Sequence, residues 1–93
     1  MAKIRIGLAG CGFVSELHMH AYRRVYGMDA EVRAVAARGD HVVEFARRHQ
    51  IPTAYRSFRD LIADADIDVI DICTPPNLHT SMIVDAMQAG KHV

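Results

Sequence analysis

Ile4-Arg5-Ile6-Gly7-Leu8-Ala9-Gly10-Cys11-Gly12-Phe13-Val14-Ser15 decides the fold, because one side-chain period gives way to another inside it. Ile4, Ile6 and Leu8 alternate with Lys3, Arg5 and Gly7, so Lys3 to Ala9 reads as a β-strand. Gly10, Cys11 and Gly12 interrupt it. From Phe13 the period becomes helical, with Val14, Leu17, Ala21 and Val25 expected on the buried face and Gly27 as the left-handed stop. A strand that turns through glycines straight into a helix brings the helix's free amide groups and positive dipole end to one point, where an anion can sit. Gly10 permits the tight turn, and Gly12 lets a pyrophosphate approach the backbone with no side chain in the way. Ser15 stands where such a turn more often carries Gly or Ala, and is expected to loosen the helix–strand packing slightly.

Beyond that stretch, strand and helix keep alternating. Glu31 to Ala37 is a second strand, and Asp40 is placed to cap a helix that buries Val42, Val43, Phe45 and Ala46. Thr53 to Tyr55 is a short third strand. Ser57 and Asp60 have capping-box spacing and open a brief helix with Phe58, Leu61 and Ile62 inward. Ile67 to Cys73 is almost continuously apolar, as a strand covered on both faces must be. Thr74, Pro75 and Pro76 end it. Asn77 can cap a last helix facing inward through Leu78, Met82, Ile83, Ala86 and Met87, which Gly90 closes before Lys91 to Val93 begins a fifth strand.

This order implies an α/β fold: a doubly wound parallel sheet of four strands and the start of a fifth, in the order 3-2-1-4, with helices on both faces. Ligands of such sheets bind at the carboxyl ends of the strands, where the order reverses between strands 1 and 4.

Two further segments fall at that end. After strand 2 the sequence reads Ala36-Ala37-Arg38-Gly39-Asp40. An NAD site expects an acid there to accept hydrogen bonds from the adenosine ribose. Ala37 takes that place and Arg38 follows, which suits the 2′-phosphate of NADP: room for it, and a cation that can grip it through two hydrogen bonds. Asp40 is read as a helix cap, although it is near enough to take the ribose. After strand 4, Cys73-Thr74-Pro75-Pro76-Asn77-Leu78-His79 makes a stiff loop beside the path of a nicotinamide ring; by residues alone it is equally a helix start.

Composition narrows the alternatives. Across 93 residues, eleven basic and eleven acidic side chains cancel, so no broad electrostatic footprint exists for nucleic acid or an anionic membrane. No apolar run reaches the length of a membrane span, and no secretory signal is evident, so a reducing cytoplasm is expected. Cys11 and Cys73 form no paired motif and are read as small buried residues. Of six histidines, His18 and His20 share no helix face, and His41, His49, His79 and His92 show no converging spacing; no metal site is expected. Asp64 and Asp66 are placed in a solvated loop. Asp71, inside an apolar strand, needs a partner that the sequence does not name.

The opening Ile4 to Gly12, His18, the run from Asp68 to Pro75, and Ala89-Gly90-Lys91-His92-Val93, in this order and spacing, resemble the cofactor domain of the glucose–fructose oxidoreductase/inositol dehydrogenase/MocA family. The resemblance spans essentially the whole chain. It implies a Rossmann-like domain over 1–93 that binds NADP by preference, or NAD, through Gly10, Gly12, Phe13, Val14, Ala37, Arg38, Cys73, Thr74, Pro75, Asn77 and His79. In that family a Glu-Lys-Pro motif comes next, whose lysine assists proton transfer, and then a substrate domain. Neither lies within the 93 residues, so the resemblance implies hydride transfer to or from a sugar, polyol or related alcohol or carbonyl for the family, and an inactive chain here. A free-standing nucleotide-binding module without redox activity is the alternative. An apolar edge at strand 4 is expected to favour self-association.

Overall fold

The computed structural model describes residues 3–24 and 29–93. Val25 and Gly27, expected at the end of the first helix, lie outside the described residues. The elements run β1 (Ile4–Ala9), α1 (Phe13–Tyr22), β2 (Ala30–Ala36), α2 (His41–His49), β3 (Thr53–Tyr55), α3 (Phe58–Ile62), β4 (Val69–Ile72) and α4 (His79–Gln88), with a 3₁₀ turn at Pro76–Leu78 before the last helix. All strand pairs are parallel, in the order β3-β2-β1-β4, as the alternation of elements requires. His92 bridges to Val69 on the far side of β4, where a fifth strand was expected.

The two faces of the sheet bury different residues. Ile6 and Leu8 of β1, with Val32 and Val35 of β2, pack against Met19, Val42, Phe45 and Ala46 of α1 and α2. On the other face Ala9, Ala34 and Ala36 meet Leu61, Ile70 and Ala86, small strand residues allowing α3 and α4 to come close. Gly7 belongs to that close face: a Cβ there would lie 2.9 Å from Leu61 Cδ1 and 3.0 Å from Ile67 Cγ2. Pairing of β1 with β2 slips after Ile6, so Gly7 sits opposite Ala34 and Arg33 is the extra residue of a bulge. Its guanidinium reaches Asp66, 2.8 Å away.

Asp66 and its neighbours are therefore not merely solvated. Arg5 donates from Nε and Nη2 to the two oxygens of Asp68 at 3.1 and 3.0 Å, and from Nη1 to Asp66 at 2.6 Å. These hydrogen bonds hold the Asp68 carboxyl down at about 2. Tyr55 donates to Asp64 at 2.8 Å. The run of acids before β4 is a brace that takes hydrogen bonds or ion pairs from Arg5 of β1, Arg33 of β2 and Tyr55 of β3.

Helix faces depart from the sequence expectation. α1 buries Ser15 and Met19, while Val14 and Leu17 are about half exposed and Ala21 is exposed. This helix carries apolar residues on two sides, and the side with the small Ser15 is the one that fits beneath the turn. In α2, Val42, Phe45 and Ala46 are buried as expected and Val43 is not. In α3, Leu61 is buried, with Phe58 and Ile62 packed against it. In α4 only Ala86 is fully buried; Ile83 and Met87 are exposed.

Capping differs as well. Asp40 and Ser57 occupy the N-cap positions of α2 and α3 but neither makes a side-chain cap hydrogen bond. Asn77 lies inside the 3₁₀ turn, and Leu78 is the residue before α4. Pro76 at the start of the turn imposes this, since proline fixes its own φ for a first helical position and starts the turn one residue before Asn77. Gly90, at φ 83°, closes α4 as expected.

Candidate functional site: a glycine turn beside an arginine-lined cavity

β1, β2 and β4 end together, and the loops that leave them meet around Gly10. Gly10 adopts φ 102°, and a Cβ on it would sit 3.0 Å from the carbonyl oxygen of Cys73. The turn thus needs glycine twice over, for its backbone angle and for its contact with the β4 loop. Gly10 N–H donates to Ala36 O at 2.7 Å, tying the turn to the end of β2. Gly12 has ordinary extended angles, and nothing lies within 4 Å of where its Cβ would be. It is the N-cap of α1 with no side chain capping the helix, so the first-turn amides face open space.

Ser15 is fully buried and its hydroxyl donates to Gly10 O at 2.8 Å. The expectation that it loosens packing is corrected: the hydroxyl reaches back across the turn and fastens it, which neither Gly nor Ala could do.

Next to the turn lies a cavity of about 820 Å³. It gathers Gly10, Ala37, Arg38, Thr74 and Pro75 of the expected site, and adds Arg56 and Ser57 from the β3–α3 connection and Arg59 from α3. Phe58, Ile62, Leu78 and Met82 supply an apolar floor suited to a flat ring. Three arginines against one acid, Asp85, leave its lining cationic. Asp40 is drawn away from helix capping by Arg56, whose Nη2 is 2.8 Å from its carboxylate.

The remaining expected residues stand outside that lining. Phe13 and Val14 project from the exposed first turn of α1 beside Gly12. Asn77 is exposed in the 3₁₀ turn. His79 turns back, its Nε2 donating to Thr74 O, so it braces the loop rather than facing the cavity. Thr74 in turn donates to Met82 Sδ at 3.1 Å.

Cys73 points to the opposite face, toward α1, where its thiol lies 3.3 Å from His18 Nδ1. It is half-buried, as is Cys11, rather than buried. Burial, and then the charge of Asp71, push the Cys73 thiol up to about 11, so it is no nucleophile at neutral pH. The same region supplies the partners that Asp71 needs: His18 Nδ1 and the Tyr22 hydroxyl each lie 2.6 Å from its Oδ2. Burial and that hydrogen bond raise the Tyr22 hydroxyl.

Arg56 and Arg59 were missed in the sequence because cations at a strand end look like ordinary surface residues. The signal was available in the strand order: β3 lies beside β2, so the connection leaving β3 must lie beside Arg38.

This arrangement can hold an extended dianionic ligand, with phosphates at the uncapped helix and an aromatic ring over the apolar floor. Residues 4–93 match the oxidoreductase family with an NAD-binding Rossmann fold. The chain belongs to that family. An uncharacterised oxidoreductase of Bacillus subtilis is 34% identical over 92 residues, covering 98% of this chain and 26% of its own length. The levoglucosan dehydrogenase of Pseudarthrobacter phenanthrenivorans is 34% identical over 100 residues, covering 100% of this chain and 26% of the enzyme. Among solved structures, an NAD-binding oxidoreductase from Klebsiella pneumoniae superposes with a TM-score of 0.91 at 34% identity, over 99% of this chain and 26% of that one. A levoglucosan dehydrogenase in complex with NADH gives 0.90 at 31% identity, over 98% and 26%. The chain therefore spans about a quarter of the length of these relatives, and it carries their nucleotide-binding fold. Among the described residues no helix is long and apolar enough to cross a membrane.

Proposed function

We propose that residues 1–93 are the dinucleotide-binding domain of an oxidoreductase that moves hydride to or from a sugar, polyol or related alcohol or carbonyl, and that its site prefers NADP over NAD. The substrate class is supported by relatives named as dehydrogenases of levoglucosan and of trans-1,2-dihydrobenzene-1,2-diol. Substrate recognition and proton transfer, in this reading, belong to residues outside these 93. Hydride transfer needs donor and acceptor held in near-attack geometry, and a cofactor site alone does not arrange that.

The residues fit such a cofactor. Open space over Gly12 and the free first turn of α1 accept the pyrophosphate, and Gly10, Phe13 and Val14 shape that approach. Ala37 and Arg38 receive the adenosine ribose, with the adenine over the apolar floor; Thr74 and Pro75, expected from the sequence beside the nicotinamide, line this same cavity and form its far wall. Asn77 and His79 hold the β4 loop in position. When bound, the nicotinamide supplies the hydride chemistry; the chain's own work is to grip and orient.

The observation that carries the NADP preference is the end of β2: no acid stands at Ala37, Arg38 comes next, and Arg56 and Arg59 share the same cavity. Asp40, two residues beyond Arg38, is engaged by Arg56. Each charge-assisted hydrogen bond to a 2′-phosphate is worth about 1.5–3 kcal/mol before solvent screening. A preference of roughly tenfold or more results, since about 1.4 kcal/mol is one decade. Calorimetric titration of NADPH and NADH into the parent chain and into Arg38→Ala tests it. The variant is expected to lose most of the preference while holding NADH as before. Equal affinities in the parent, or an unchanged ratio in Arg38→Ala, would overturn the assignment.

A further inference from the structure

Asp71 of β4 and Cys73, the residue that follows the strand, are a carboxylate and a thiol two positions apart in extended chain, and residues so spaced point to the same face. That face looks onto α1, where His18 and Tyr22 lie four apart and share one side of the helix. The sheet thus brings together side chains separated by 49 to 55 positions in sequence. No linear spacing motif could reveal them. Among the described residues, His18, Asp71 and Cys73 each offer a ligand atom, all within 4.8 Å of one another.

We propose that His18, Asp71 and Cys73 form a zinc site that clamps α1 to β4 beneath the glycine turn. Ligands at zinc's usual bond lengths of about 2.0–2.3 Å in a tetrahedron stand about 3.3–3.7 Å apart. Cys73 Sγ is 3.3 Å from His18 Nδ1 and 3.6 Å from Asp71 Oδ1, which are already two edges of that tetrahedron. The third edge closes through a small turn of the carboxylate. Oδ1 moves onto the ion, and Oδ2 gives up His18 while keeping the Tyr22 hydroxyl, which lies 2.6 Å away. Tyr22 then orients the ligating carboxylate from behind, the arrangement that metal-bound carboxylates commonly show.

The donor set selects the metal. A thiolate with an imidazole suits zinc, whereas magnesium and calcium take oxygen ligands. Binding displaces the thiol proton of Cys73 to solvent, so the ion meets one thiolate, one carboxylate and a neutral imidazole. The fourth position belongs to water: the His18 side chain is 40% exposed while Asp71 is 15%, so solvent reaches the cluster from the helix side. The site lies on the face of β4 away from the arginine-lined cavity and does not depend on which dinucleotide the chain holds.

The test titrates Zn²⁺, and Co²⁺ as a coloured substitute, into the metal-free 93-residue chain. One equivalent should bind. Zinc should raise Tm, because a ligand that binds only the folded state stabilises it. Cobalt should give a thiolate-to-metal absorption band. Cys73→Ser should abolish that band, His18→Ala should weaken binding at least about tenfold, and Tyr22→Phe about tenfold. Cys11→Ser and His20→Ala, which remove the other thiol and a neighbouring exposed imidazole, should leave both readouts unchanged. Should Cys73→Ser not fold, the contrast between His18→Ala and His20→Ala carries the decision. Absence of the band and of any Tm shift in the parent overturns the proposal. So does a band that survives Cys73→Ser or disappears in Cys11→Ser.

Discussion

The two halves of the candidate site are made of different material. At Gly10–Gly12 the binding surface is backbone: a left-handed residue, an uncapped helix end, and a buried serine hydroxyl that ties the turn to itself. At Arg38, Arg56 and Arg59 it is long, exposed side chains, after β2, after β3 and in the first turn of α3. Backbone amides cannot be exchanged by substitution and recognise what every dinucleotide has. Side chains can be exchanged one at a time, and in the proposed reading they meet the 2′-phosphate that distinguishes NADP from NAD. Changes in the first half should therefore act on NADPH and NADH alike, and changes in the second on their ratio.

The largest effects are expected from the two glycines, and they should fail differently. A Cβ at Gly10 meets backbone atoms of Cys73 at 3.0 and 3.2 Å at a φ of 102°. Backbone strain of this sort costs about 1–3 kcal/mol, and in a domain of this size each kcal/mol lowers Tm by about 4–8 °C. Gly10→Ala should lower Tm by at least about 5 °C. Gly12 has extended angles and empty space above it, so Gly12→Ala should fold and melt as the parent does. Its methyl group would stand where the pyrophosphate approaches, weakening both cofactors by at least about tenfold. Thermal melts with paired cofactor titrations check this. A Gly12→Ala chain that binds normally would mean that the phosphates lie elsewhere.

Legibility in the sequence divides along the same line. Strand order and the glycine turn were readable, because periodicity and turn chemistry are local. The face of α1 was not. Phe13, Val14 and Leu17 are apolar and exposed, while the polar Ser15 is buried, and only the turn above the helix explains why. Asp71 looked like an unpaired charge until the fold laid α1 across β4 and supplied His18 and Tyr22. Arg56 drew no reading from the sequence, although the strand order places the end of β3 beside Arg38. The Asp71 and Arg56 contacts join residues far apart in the chain, and hydrophobic patterning says nothing about which polar groups will meet.

The smallest effect, and the one that most sharpens the contrast, concerns Asp40. Its carboxylate lies 2.8 Å from Arg56 and is 89% exposed, so the pair is a surface ion pair at the edge of the cavity. Such pairs contribute only about 0.2–1 kcal/mol. Asparagine is as good an N-cap as aspartate, and Asp40 makes no side-chain cap hydrogen bond to lose, so Asp40→Asn should lower Tm only by what the ion pair contributes, a few degrees at most. It should free Arg56 for an incoming 2′-phosphate and remove one repelling charge. NADPH affinity is then expected to rise about two- to fivefold at low salt, with NADH unchanged. The gain should shrink as salt rises, because exposed charges are screened over about 10 Å at 0.1 M. If Asp40 instead accepts hydrogen bonds from the adenosine ribose, the same substitution weakens NADH and leaves NADPH no better. Titrating both cofactors into Asp40→Asn at two ionic strengths separates the outcomes, and a loss confined to NADH would transfer the ribose contact from Arg38 to Asp40.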